Sequence, residues 1–173
     1  MIFFTTLKQK DLSAVSAQQL FDNYFQGSDR PSHIQRFDQY EIISDISDDS
    51  LLQMLNETYI FSNPNKHHLI TNSSFFNNSS TYVNVSRKLP LNLNSKVSSL
   101  KKIFQNNTIE AVYQSELWAF TTKNNISDDE ILSTFIHSSK NNVAPFAHPV
   151  IHNASVIDHA RLIKQLNYSA TVQ

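Results

Sequence analysis

A chain of 173 residues with one glycine, five prolines and no cysteine is long enough to bury a sizeable core, as one compact domain or two joined halves. Its lack of thiols excludes disulfides, cysteine nucleophiles and cysteine-ligated zinc or iron–sulfur centres. Fourteen Lys and Arg against fifteen Asp and Glu give a formal charge of −1, no footprint for nucleic acid, and neither a secretory leader nor a bilayer-length apolar run is legible, so the expectation is a soluble cytoplasmic protein with no membrane partner.

In chain order, "MIFFTTL" reads as a strand, and "SAVSAQQLFDNYF" places Ala14, Ala17, Phe21 and Tyr24 on one helical stripe. "FDQYEIISDI" returns to extended structure. A helix then starts at "SDDSLLQML", with Leu51, Leu52, Leu55 and Tyr59 on one side. The polar segment "TNSSFFNNSS" is the natural joint to a second half. There "STYVNVSRKL" is a strand, and "NSKVSSLKKIF" a helix with Val97, Leu100, Ile103 and Phe104 on its apolar face. "IEAVYQSELWAFTT" follows as a strand or hairpin, and "SDDEILSTF" as a helix presenting Ile131, Leu132, Phe135 and Ile136. Ser127 with Glu130 three residues on has the spacing of a capping box. Asparagine doublets at Asn77-Asn78, Asn106-Asn107, Asn124-Asn125 and Asn141-Asn142 mark turns that a glycine-poor chain builds with asparagine instead. The tail "VIDHARLIKQLNYSATVQ" repeats Ala160, Ile163 and Leu166 at helical spacing.

The two halves say nearly the same thing. "SDDSLLQML" aligns with "SDDEILSTF" at an offset of 80, and Phe61-Ser62-Asn63-Pro64 aligns with Phe146-Ala147-His148-Pro149 at an offset of 85. The expectation is an α+β fold: a two-layer ferredoxin-like or PurS-like sandwich, internally duplicated. Its parts are a first repeat over residues 1–80, a second over 81–157 and a C-terminal extension over 158–173. Each half reads β-α-β-(β)-α-β, and two such units side by side protect edges that one alone exposes. Residues 1–80 carry nine acidic and five basic side chains, residues 81–173 six and nine. That asymmetry suits two halves or two partners facing each other.

"FFTTLKQKDL" at Phe3–Leu12, "VAPFAHPVIHN" at Val143–Asn153 and the weaker copy "YIFSNPNKHHL" at Tyr59–Leu69 resemble the PurS family, the small subunit of phosphoribosylformylglycinamidine synthase. That family's protomers are about half this length and pair. Its Arg-x-Gly-Lys-like phrase on the central strand is replaced here by "QRFDQYE" and "YQSELWA", with neither the glycine nor the lysine, and its Asp-Pro-x-Gly turn has no good match. The resemblance implies a family homodimer fused into one polypeptide, similar to the ferredoxin-like N-terminal region of the large single-chain enzyme. It implies a non-catalytic assembly subunit, without a cofactor. Its partners would be a glutaminase subunit and the large synthetase subunit, between which ammonia passes. Alone it would be a monomer or at most a dimer.

The residues that carry chemistry elsewhere are sparse here. His67 and His68 are adjacent, so on a strand they face opposite ways. His148 and His152, with His159, have spacing for a metal site only if helical, and Pro149, Val150 and Ile151 argue for extended chain. Asp48-Asp49 and Asp128-Asp129 suit helix starts rather than an acid/base couple. Neither a nucleophile elbow nor a glycine-rich phosphate loop is present. The expectation is therefore no catalytic, metal or cofactor residue. Trp118, His148, His152 and Arg36 remain as interface or ligand contacts, with His33 and Arg36 near "GSDRPSH" suited to an anion. Alternation along "SELWAFTT" sets Trp118, Phe120 and Thr122 against Leu117, Ala119 and Thr121; one face is core, the other a helix-covered layer or a partner surface. Two rival readings stay open: a small α/β enzyme using His and Asp, and a ligand-binding regulatory protein.

Overall fold

The computed structural model describes residues 1–25, 30–122, 126–136, 147 and 150–171, with side chains through residue 166. The chain is α+β. Its elements run β1 (Ile2–Leu7), α1 (Leu12–Tyr24), β2 (His33–Ser44), α2 (Asp48–Glu57), β3 (His67–Ile70), β4 (Ser80–Arg87), α3 (Asn94–Ile103), β5 (Ile109–Thr121), α4 (Asp128–Ile136), β6 (His152–Ile157) and α5 (His159–Thr171). The six strands form one antiparallel sheet in the order β3-β1-β2-β5-β4-β6.

Local chemistry accounts for the helix starts. The Asp11 carboxylate accepts from Ser13 N–H (3.0 Å) ahead of α1, and Ser47 Oγ accepts from Ser50 N–H (3.3 Å) ahead of α2. Ser127 Oγ accepts from Glu130 N–H (3.2 Å), as the capping-box spacing requires, and Asp128, Asp129 and Glu130 fill the first turn of α4. α3 has no side-chain cap, but Lys101 and Lys102 lie in its last turn, where the helix dipole favours cations. α2 stops sooner than its apolar pattern suggests. Thr58 closes it, donating through its hydroxyl to Met54 C=O (2.8 Å), and Tyr59 lies beyond the helix, 68% exposed.

Alternation along β2 and β5 fixes the layers. Ile34, Tyr40, Ile42, Val112, Trp118 and Phe120 turn to one face, where α1, α2, α3 and α4 cover them; Phe37, Leu117 and Ala119 turn to the other. Two apolar clusters lie under the four helices. One holds Phe3, Tyr40 and Ile42 against α2 and α3; the other holds Val83, Trp118 and Phe120 against α1 and α4. On the opposite face α5 packs Leu162 and Leu166 over Phe4, Phe37, Tyr82 and Leu117, so the C-terminal extension belongs to the core of its own chain. Phe76, from the joint between the halves, is 5% exposed in this same cluster.

The strand order is a palindrome. Read inward from either edge it gives a half's third strand, first strand and second strand, and the second strands, β2 and β5, meet in the middle. β2 is 12 residues and β5 13 residues of unbroken strand, so the segment read as strand or hairpin is a single strand. The buried positions keep step. Phe3 and Val83, Ala17 and Val97, Leu20 and Leu100, Ile46 and Ile126, Leu51 and Ile131, and Leu55 and Phe135 all stand 80 residues apart; Ile34 and Val112, Tyr40 and Trp118, and Ile42 and Phe120 stand 78 apart. This correspondence is one of topology and register. Among the described residues, no helix is long and apolar enough to cross a membrane.

Candidate functional site

Between the two apolar clusters the helix-covered face turns polar, and Arg36 is its centre. On β2 it points to the same face as Ile34 and Tyr40, and its cross-strand neighbour is Trp118. Two residues on, Asp38 stands directly opposite Glu116. Two carboxylates facing each other across a ladder repel unless a cation intervenes. Arg36 supplies it: Nη1 donates to Asp38 Oδ1 (2.8 Å) and Glu116 Oε2 (3.5 Å), and Nε donates to Asp11 Oδ2 (2.9 Å). Asp11 thereby caps α1 with one oxygen and anchors Arg36 with the other. Gln114 adds a donor to Asp38 Oδ1 (3.2 Å). Arg36, Asp11 and Asp38 side chains are 18%, 14% and 22% exposed, Glu116 40%.

Burial pulls the Arg36 guanidinium down, but the combined field of Asp38, Asp11 and Glu116 outweighs it and holds the group above its ordinary value. Burial pushes Glu116 above the ordinary carboxylate value, against the opposing pull of Arg36 and a hydrogen bond from Trp118, with Asp38 reinforcing the rise. Tyr40, next along the strand, is pushed up to about 12 by burial and the Asp38 charge. A carboxylate raised in the folded state contributes stability while protonated, and that contribution is lost as pH rises through its folded value. Glu116→Gln is therefore expected to be slightly more stable than the parent at neutral pH, the gain vanishing below the ordinary glutamate range, where both side chains are neutral. Thermal melts at about pH 7 and about pH 4 read this; a variant less stable than the parent at neutral pH would refute it.

The network opens onto a cleft of about 430 Å³ between the β1–α1 loop, the first turn of α1 and the start of β2. Lys8, Lys10, Asp11, His33 and Arg36 line it, beside apolar Ala14, Val15 and Ile34. Thus His33 and Arg36, read from the sequence as suited to an anion, share one concavity with two lysines. A smaller hollow of about 240 Å³ includes Ser86, Arg87, Pro90, Tyr113 and Gln114, positions corresponding by the same offsets to Thr6, Leu7, Lys10, Gln35 and Arg36 in the first cleft. A third, about 700 Å³, lies beside α5 and includes Arg161, Lys164 and Gln165.

The other sequence candidates are dispersed. Trp118 is 3% exposed, edge-on to Phe135 with ring centroids 5.0 Å apart, so α4 covers its face. His152 begins edge strand β6, opposite Arg87. His159 has Nε2 2.9 Å from Phe76 C=O and stacks on Tyr82. His148 lies outside the described residues. Among the described residues no three His, Asp or Glu side chains are placed to hold a metal ion. His67 sits on β3, where its Nδ1 accepts from Asn63 N–H (3.1 Å). Asp48-Asp49 and Asp128-Asp129 open α2 and α4.

Sequence reasoning missed Asp11, Asp38, Gln114 and Glu116 as parts of one site. The Arg36-x-Asp38 spacing, which puts opposite charges on one strand face, was the legible signal. Glu116 had none, because only the β2–β5 register brings it there. Comparison with known proteins adds no relative: no family model, no curated protein and no solved structure matches the chain.

Proposed function

We propose that this chain is a non-catalytic assembly subunit of phosphoribosylformylglycinamidine synthase, a fused PurS-like dimer that docks a glutaminase on the synthetase in the cytoplasm. The observation that carries the reading is the palindromic sheet. Two β-α-β-α-β units meet through their second strands, with buried positions in step at offsets of 78 and 80, as expected if two half-length protomers had been joined by duplication. A subunit of this kind acts through its surfaces, and one suits a protein partner. Leu89 (82% exposed), Leu91 (55%), Val150 (73%) and Ile151 (46%) crowd one end of the second half, where Lys88 N–H donates to Ile151 C=O (2.9 Å) and ties the β4–α3 loop to the start of β6. Clustered exposed apolar side chains mark interaction sites rather than ordinary surface.

The test mixes the chain with the glutaminase and synthetase subunits in the presence of glutamine, nucleotide and formylglycinamide ribonucleotide. Co-elution of all three and amidation dependent on the chain are expected, and Leu89→Asp with Val150→Asp should weaken co-elution at least about tenfold without unfolding the protein. Full glutamine-dependent amidation by the two partners alone would reject the role.

A further inference from the structure

We infer that the cleft between the β1–α1 loop and the start of β2 is a binding site for a small organic phosphate monoester. This does not rest on the assembly role.

Its lining carries Lys8, Lys10 and Arg36 and an exposed His33; the charge of Arg36 is taken up by Asp11, Asp38 and Glu116, so the attraction for an anion comes from Lys8 and Lys10. One Asp11 oxygen caps α1 and the other takes Arg36 Nε. Arg36 uses Nε and Nη1 on carboxylates, while its Nη2 donates to no protein group among the described residues. A planar guanidinium anchored on one side with donors left over is a suitable phosphate partner. The first turn of α1, the positive end of a 13-residue helix, forms one wall and adds to the same field.

The fold does not require these charges. The second half builds the same strand, loop and helix with Pro90 where the first has Lys10, Leu91 where it has Asp11, and Gln114 where it has Arg36; of the cleft's cations only Lys8 has a counterpart, Lys88. Scaffold needs are met twice, but this grouping of Lys8, Lys10, His33 and Arg36 is built once. Its size selects the ligand. About 430 Å³ admits a small molecule, and Ala14, Val15 and Ile34 provide apolar contact for the part that bears the phosphate. With exposed lysines supplying much of the charge, affinity is modest, with a dissociation constant on the order of 1 mM.

The experiment is a titration of the full isotope-labelled chain with phenyl phosphate, followed by amide NMR at constant ionic strength, with inorganic phosphate, phenol and sodium chloride in parallel. Saturable shifts are expected at residues 8–15 and 33–36, stronger for phenyl phosphate than for inorganic phosphate and absent for phenol and chloride. The Lys8→Gln/Lys10→Gln double variant should bind about tenfold more weakly with its spectrum elsewhere unchanged. Lys10→Gln alone, at an exposed side chain, is the second variant should the double one fold poorly. Shifts that do not saturate, that chloride reproduces, that map elsewhere, or that the lysine variants leave unaltered would overturn the site.

Discussion

Replacing Arg36 with alanine is expected to cost about 2 kcal/mol of stability at neutral pH, more than any other change of a single charged side chain in the described structure. The guanidinium binds Asp11, Asp38 and Glu116 at once. Its removal leaves Asp38 facing Glu116 across the central strand pair with no cation between them, and Asp11 with only the α1 cap. Breaking a fully buried pair costs about 3–5 kcal/mol; solvent reaches this one, so the figure is scaled down. The loss has a pH signature. Without Arg36 the lowering pull on Glu116 is lost while the Asp38 charge opposite it remains, so the already raised Glu116 is lifted further and the variant regains stability as pH falls and Glu116 takes up a proton. The gap between parent and Arg36→Ala should therefore narrow from about pH 7 to about pH 5, and adding Asp38→Asn and Glu116→Gln should recover much of the deficit. Urea melts at the two pH values decide it. An equal loss at both, unrelieved by neutralising the carboxylates, would mean that Arg36 acts through its aliphatic stem alone.

The contrast between what the sequence disclosed and what it hid follows interaction range. Helix starts were legible because Ser47, Asp48 and Asp49 in one half, and Ser127, Asp128 and Asp129 in the other, act on backbone groups within one turn. The apolar stripes were legible in the main for the same reason: Leu51, Leu55, Val97, Leu100, Ile131 and Phe135 are all buried, whereas Tyr24 and Ile103, read on the same stripes, are exposed near their helix ends. Tyr59 was misplaced because periodicity continued past Thr58, whose hydroxyl ends the helix. Arg36 could be singled out as a cation near His33, but its role depends on Glu116, 80 residues away, and on Asp11 in another element. Trp118 shows the same limit from the other side. Alternation divides its strand into two faces, yet which face receives α4 is settled only when Phe135 packs against the indole.

The meeting of the two halves of the sheet bears on folding, because no apolar cluster belongs to one half. Phe3, Tyr40 and Leu51 share a cluster with Leu100 and Val112; Phe21 and Ile34 share another with Trp118 and Phe135; Phe4, Phe37 and Ile70 share the third with Leu117 and Leu162. The β2–β5 ladder between the halves, from His33 opposite Thr121 to Ser44 opposite Ile109, is the longest in the sheet. Cutting the chain between Asn78 and Ser79 should therefore leave neither fragment able to fold as a monomer. Each would expose one long unpaired strand edge and half of three cores. Mixed in equal amounts, residues 1–78 and 79–173 should reassociate into a one-to-one complex that recovers the tertiary circular-dichroism signal of the intact chain and melts in a single transition. If the halves descend from a pairing protomer, residues 1–78 alone should form a homodimer through β2, detectable by sedimentation, which the second fragment displaces. The displacement is expected because Asp38 opposite Glu116 in the intact chain becomes Asp38 opposite Asp38 in the homodimer, the same repulsion without the packing of Trp118 and Phe120 beside it. Cooperative unfolding of either fragment as a monomer would show that the seam is dispensable and the halves are independent domains.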